Sequence, residues 1–185
     1  MLEHLNKWDR ELFVYLNSLG IEEYDVFWIF VTNIKHWIPL YIIFFILFFV
    51  AFHWKKALFN TSFLLSSFLT TLAFTNFVKG IAVRLRPNND PELLDIIRIL
   101  QTPSNYSFFS GHASCSFVVT TFVVLSMREK YNWIYFIYIW PIIFVMSRVY
   151  VGVHYPLDLL VGAIVGLLFG FGFYKLYLLA GKRFY

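Results

Sequence analysis

Long apolar stretches broken by short charged ones dominate this sequence, and they restrict its fold more than any other feature. They occupy approximately residues 38–53, 57–78, 111–125, 133–146 and 157–179. The hydrocarbon core of a bilayer is about 30 Å thick and takes about 20 residues of helix to cross. The stretches lack the period-two alternation of a transmembrane β-barrel. The sequence therefore predicts an all-α fold, an integral-membrane helical bundle of five to six transmembrane helices. Hydrophobic residues make up 59% of the 185 and charged ones only 14%, far from the soluble average. The length suits one domain, 1–185.

The first 37 residues read differently. Leu2, Leu5, Trp8, Leu12, Phe13, Tyr15 and Leu16 recur at roughly helical spacing among charged neighbours, the pattern of an amphipathic helix lying in the membrane interface. Residues 25–37 repeat the theme with Val26, Phe27, Phe30 and Val31, and place Trp28 and Trp37 where an aromatic belt belongs. Residues 1–37 are thus expected to form interfacial helices and 38–179 the bundle. A sixth span built from 21–37 would move the N-terminus across the membrane without moving the later loops. Residues 1–20 do not have the pattern of a cleavable signal peptide, so targeting is expected from the spans themselves.

Charge sets the orientation. Lys55, Lys56, Arg128, Lys130, Lys175, Lys182 and Arg183 close spans on one side, the cytoplasmic side by the positive-inside rule. The loops bearing Lys79, His112 and Arg148 then face outward, periplasmic or extracellular. A net charge of +4 is not read as nucleic-acid binding, because the basic residues sit at span ends. The lone Cys115 lies among small residues in a span and is read as packing.

Clusters of ionisable residues stand at the outward ends. In Lys79-Gly-Ile-Ala-Val-Arg84-Leu-Arg86-Pro87, Lys79 and Arg86 are seven apart, on one face if the helix continues to Pro87, and two fixed cations suit a phosphate. In Phe109-Ser110-Gly111-His112, Ser110 and Gly111 open a helix whose N–H groups bind anions, with a near-neutral imidazole beside them. In Ser147-Arg148 through His154 to Asp158, Pro156 starts a helix with Asp158 in its first turn and His154 just before it. Singly, these read as snorkelling cations, a capped helix and an interfacial histidine. Their return to one membrane face points to function, because ionisable groups at such positions are costly.

Lys-x6-Arg-Pro, then Ser-Gly-His, then Ser-Arg-x5-His-x3-Asp resembles the three-part signature of the type 2 phosphatidic acid phosphatase superfamily, over residues 79–158. The chain departs from that pattern at Phe109, where relatives commonly carry Pro, and in having no clear first span. The resemblance implies a metal-independent hydrolase, without cofactor, acting on a phosphomonoester or pyrophosphate through a phosphohistidine. Carried over by position, it makes His154 the nucleophile, Asp158 its orienting carboxylate and His112 the acid for the leaving oxygen. Lys79, Arg86 and Arg148 hold phosphoryl oxygens, with Ser110 and the Gly111 N–H as further donors. Asp90, Glu92 and Asp95 share a loop but follow no metal-ligand pattern.

The expected substrate is a membrane lipid phosphate at the outer face. Undecaprenyl pyrophosphate is the first candidate, followed by phosphatidylglycerophosphate, phosphatidic acid and lipid A phosphates. The vanadium haloperoxidases share the signature but are soluble and larger. A non-enzymatic protein that grips or flips a lipid headgroup would need the cations but not the His112, His154 and Asp158 set. The sequence does not speak to oligomeric state.

Overall fold

The computed structural model describes residues 2–182; Arg183, one of the C-terminal basic residues, lies outside them. Among the described residues there are seven α-helices: α1 (Leu2–Ser18), α2 (Asp25–Thr32), α3 (Ile38–Ala51), α4 (Trp54–Ala82), α5 (Gly111–Met127), α6 (Ile139–Tyr150) and α7 (Pro156–Gly181). The runs containing α3, α4, α6 and α7 are long and apolar enough to cross a membrane, whereas α5 is shorter at 17 residues. The bundle is all-helical and multi-pass, as the apolar blocks require.

Local chemistry sets the boundaries. Pro39 lies in the first turn of α3 and Pro156 in that of α7, where the missing N–H has no intrahelical partner to lose. Ser110 caps α5, its hydroxyl accepting from the Ala113 N–H at 3.4 Å. Residues 25–37 form two pieces instead of the single helix the aromatic pattern suggests. Asn33 turns extended, and its side-chain oxygen accepts from the Lys35 N–H at 3.0 Å, restarting the chain as a 3-10 turn, Ile34–Trp37, that runs into α3. Pro141 lies within the apolar run Asn132–Tyr150. It falls in the first turn of α6, after a 3-10 segment, Asn132–Tyr138, and marks the change of helix type.

A further correction concerns the first cation cluster. The helix does not carry Lys79 and Arg86 on one face to Pro87. It stops at Ala82, and Val83 takes a left-handed conformation with φ of 47°. That conformation is strained for a β-branched residue. It turns the chain sharply, so Arg84 and Arg86 lie in the following loop.

One helix, α4, turns its polar side inward and its apolar side outward. On α4, Asn60, Ser67, Thr71, Thr75 and Lys79 are buried while Leu58, Leu65, Leu69, Phe77 and Ile81 are exposed. Buried hydroxyls are paired within and across helices at Ser67, which donates to the Leu64 carbonyl, and at Thr75, which meets Ser114 at 2.9 Å and donates to the Thr71 carbonyl at 2.8 Å. On α1 the inward face is Asp9, Phe13 and Asn17, at intervals of one helical turn, while Leu5, Trp8, Tyr15 and Leu16 are left uncovered. Asn17 donates to the carbonyls of Arg98, Val149 and Tyr150 and accepts from the Arg98 N–H, tying α1 to the loop between α4 and α5 and to α6.

The closest helix pair is α5 with α7. A Cβ at Gly162 would stand 2.7 Å from the Ser110 carbonyl oxygen, at Gly166 2.5 Å from that of Ser114, and at Gly170 2.7 Å from the Thr121 Cβ. Only glycine permits this approach. Gly166→Ala should therefore cost about 1–3 kcal/mol, since backbone must move. Gly172→Ala, on the same helix with nothing within 4 Å, should leave stability unchanged or raise it by up to about 1 kcal/mol. Thermal unfolding of the two variants in one detergent, followed by size-exclusion chromatography, measures the contrast.

Candidate active site

The C-terminal ends of α4 and α6 and the N-terminal ends of α5 and α7 meet around the loop of residues 83–110. There Lys79, Arg86, Gly111, His112 and Arg148 line one cavity of about 640 Å³. His154 and Asp158 stand behind that lining with no exposed surface.

The cations are held by polar atoms from distant parts of the chain. Lys79 Nζ donates to the carbonyls of Tyr106 at 2.6 Å and Ser107 at 2.9 Å. Arg86 donates through Nε to the Asn105 carbonyl at 2.7 Å and through Nη2 to Asn105 Oδ1 at 2.8 Å. Its Nη1 reaches the Val153 carbonyl at 2.9 Å and His154 Nε2 at 2.8 Å. Burial draws the Arg86 guanidinium down to about 10, so it remains a cation at neutral pH. Arg148 Nη1 donates to Thr32 Oγ1 and, at 3.1 Å, to Gln101 Oε1, while its buried Nε has no partner among the described residues.

These contacts determine the tautomer of His154. Arg86 has only donors, so Nε2 is the acceptor and the ring proton lies on Nδ1. Nδ1–H then faces Asp158 Oδ2 at 3.3 Å and Ser107 Oγ at 3.2 Å. Ser107 donates its own proton to Asp158 Oδ2, which also accepts from the Tyr155 N–H at 3.1 Å. Burial, reinforced by the charges of Arg86 and Arg148, holds the His154 imidazole well below its usual range. The ring is a neutral base, with its lone pair on the side of Arg86.

His112 lies in the first turn of α5 on the cavity wall, its ring 5.1 Å from that of Phe144. Ser110 does not join it there. It is fully buried, its hydroxyl caps α5, and its N–H donates to the Asp158 carbonyl at 3.0 Å, so it locks α5 to α7 instead of facing the cavity. Two acids of the loop between α4 and α5 are engaged elsewhere: Arg10 pairs with Glu92 at 2.8 Å and Asp90 at 3.3 Å. Among the described residues no group of three His, Cys, Asp or Glu could hold a metal ion.

Sequence reasoning missed the residues that hold the first set: Asn105 and Ser107 from the loop, Thr32 and Gln101 on Arg148, and Arg84 and Asp9 beside Asp158. Arg84 Nη1 donates to Asp158 Oδ1 at 2.6 Å and Nη2 to Asp9 Oδ2 at 2.7 Å. Only Arg84 left a visible signal, as a third cation beside Lys79 and Arg86.

Comparison with known proteins identifies the family. A model of the PAP2 superfamily matches residues 57–182. The lipid A 4'-phosphatase of Bacteroides thetaiotaomicron is 32% identical over 98% of this chain and 81% of its own length. That of Porphyromonas gingivalis is 30% identical over 98% and 78%. An undecaprenyl-diphosphatase of Sulfolobus acidocaldarius is 34% identical over 56% of this chain and 48% of its own. Among solved structures, the Bacillus subtilis PAP2 type phosphatidylglycerolphosphate phosphatase shares the fold with a TM-score of 0.74 at 20% identity, over 97% of this chain and 87% of that one. Aquifex aeolicus LpxE superposes with a TM-score of 0.63 at 27% identity, over 89% and 93%. The chain belongs to the PAP2 superfamily and is a multi-pass membrane lipid phosphatase of that kind.

Proposed function

We propose that this enzyme removes a phosphate monoester of the lipid A type from its substrate at the outer face of the membrane, through a phosphohistidine on His154. The observation that carries the reading is the form of the cavity. Lys79, Arg86 and Arg148 stand at its head, and its wall follows α4 from Lys79 through Asn76, Leu72, Phe68, Leu65 and Leu64 to Thr61. Eighteen residues of helix are about 27 Å at about 1.5 Å each. Tyr41, Phe44 and Phe45 of α3 form the opposite wall. A charged head with a long apolar trough suits a phosphorylated lipid better than a soluble phosphate. The lipid A type is favoured by two relatives matched over 98% of this chain. Undecaprenyl pyrophosphate, the first candidate from sequence, has support from a relative matched over 56%.

His154 Nε2 attacks phosphorus in line while Lys79, Arg86 and Arg148 take up the charge spreading over the equatorial oxygens. For Nε2 to attack, Arg86 Nη1 passes its N–H from the imidazole to a phosphoryl oxygen, which frees the lone pair as the phosphate arrives. Arg148 Nε, buried without a partner, supplies another donor. The Gly111 N–H opens α5 toward the same anion. Asp158 keeps the ring proton on Nδ1 and opposes the positive charge that forms on the ring. His112 protonates the departing oxygen, and a water then hydrolyses the phosphohistidine with His112 as base. Fixed cations fill the place a metal ion takes in other phosphatases.

Purified enzyme in detergent with EDTA should release phosphate from a panel of lipid phosphates, fastest from the lipid A 4'-phosphate. A preference for undecaprenyl pyrophosphate would assign that substrate instead, and complete loss with EDTA would remove the metal-independent mechanism. His154→Ala should abolish turnover and the trapped phosphoenzyme. His112→Ala should recover part of its activity on p-nitrophenyl phosphate, whose leaving group needs little protonation. Recovery in His154→Ala instead would reverse the roles.

The outward orientation rests on basic residues gathered at the opposite end of the bundle. There Lys130 Nζ caps the Ala51 carbonyl, and Lys130 and Lys56 lie 4.7 Å and 4.9 Å from the Phe52 ring centroid. A cysteine placed at the exposed Asn89 in a Cys115→Ser background should react with an impermeant thiol reagent in intact cells. Labelling only after lysis would invert the topology.

A further inference from the structure

Asp9 lies on α1, outside the span matched to the superfamily, yet it is only 2% exposed and both its oxygens are committed to the site. Oδ1 accepts the Leu157 N–H at 2.8 Å, in the first turn of the helix that carries Asp158. Oδ2 accepts Arg84 Nη2 at 2.7 Å, and Arg84 Nη1 donates to Asp158 Oδ1 at 2.6 Å. The guanidinium lies over the Tyr155 ring, 4.1 Å from its centroid, which fixes its plane. One planar fork thus spans two buried carboxylates, a task its fixed geometry suits and a lysine cannot perform.

A carboxylate has two oxygens, so holding one sets the rotation of the other. With Oδ1 of Asp158 held by Arg84, Oδ2 is turned to Ser107, the Tyr155 N–H and His154 Nδ1. We infer that Asp9 and Arg84 form a positioning pair for Asp158, which makes the interfacial helix α1 part of the phosphoryl-transfer apparatus. This rests on the reading of His154 as nucleophile. Asp9 fixes the guanidinium, the guanidinium fixes Asp158, and Asp158 fixes the tautomer and direction of the imidazole. Neither Asp9 nor Arg84 lines the cavity, so the pair acts on the chemical step and not on binding.

Asp9→Asn separates this role from mere docking of α1. Its amide oxygen still accepts from the Leu157 N–H, but its NH2 group cannot accept from Arg84. In full-length enzyme, kcat should fall about ten- to a hundredfold, the value of a charge-assisted hydrogen bond, with KM within about twofold. The phosphoenzyme formed in one turnover, quenched in alkali, should appear more slowly by the same factor. Arg84→Lys keeps a cation against Asp158 without the fork, and should show the same split if Asp9→Asn does not fold. Wild-type kcat in either folded variant, or a raised KM with unchanged kcat, would overturn the pair. His154→Ala in the same assay separates the two claims: phosphoenzyme persisting there defeats the nucleophile reading itself, whereas loss there with a normal Asp9→Asn defeats only the positioning pair.

Discussion

A carboxylate with no exposed surface stands at the end of a membrane bundle, and most of the site follows from the need to satisfy it. Asp158 cannot keep its charge there unaided, because burying an unpaired ion costs several kcal/mol. The protein answers with a cation on Oδ1 and hydrogen-bond donors on Oδ2. Each donor brings a different part of the chain: Arg84 the loop after α4, Ser107 the loop before α5, Tyr155 the start of α7. Assembling the chain around this oxygen pair is also what brings His154 beneath Arg86.

The same economy runs through the bundle. Lipid offers apolar surface nothing to gain by leaving it, so the buried face of α4 is rich in Ser and Thr and its exposed face in Leu and Phe. Aromatic rings fill what the small residues leave. Trp37, Tyr41, Phe44, Trp140 and Phe144 pack between α3 and α6 behind His112. Polar residues do not weaken such an interior when each hydroxyl reaches a carbonyl one turn back or a partner across the interface, as Thr75 does with Ser114.

The five apolar blocks are local in sequence, as are the signals around the ionisable residues: a run of hydrophobic residues, a Ser-Gly at the start of a helix, a Pro one residue after Tyr155. Lys79 and Arg86 line one cavity, but a left-handed turn at Val83, not a continuing helix, places Arg86 there. The supporting residues were illegible for a different reason. Thr32 meets Arg148 across 116 positions, Asp9 meets Leu157 across 148, and no periodicity encodes such pairs. On α1 the apolar pattern does not mark the inward face: Leu5, Trp8, Tyr15 and Leu16 are left uncovered, while Asp9 and Asn17 are buried beside Phe13.

The glycine contacts between α5 and α7 divide the molecule into two mechanical halves. One half, with backbones pressed together at Gly162, Gly166 and Gly170, carries His112, His154 and Asp158 and has no slack in which to shift them. The other half is α3, which buries Phe44, Phe48 and Ala51 and leaves most of its remaining surface to lipid. The trough that would hold a substrate's tail lies across the seam between them. Phe45, exposed on α3, lines that trough without taking part in the hydrogen bonds that hold His154 and Asp158. A bundle built this way can exchange one lipid for another while its chemistry stays fixed.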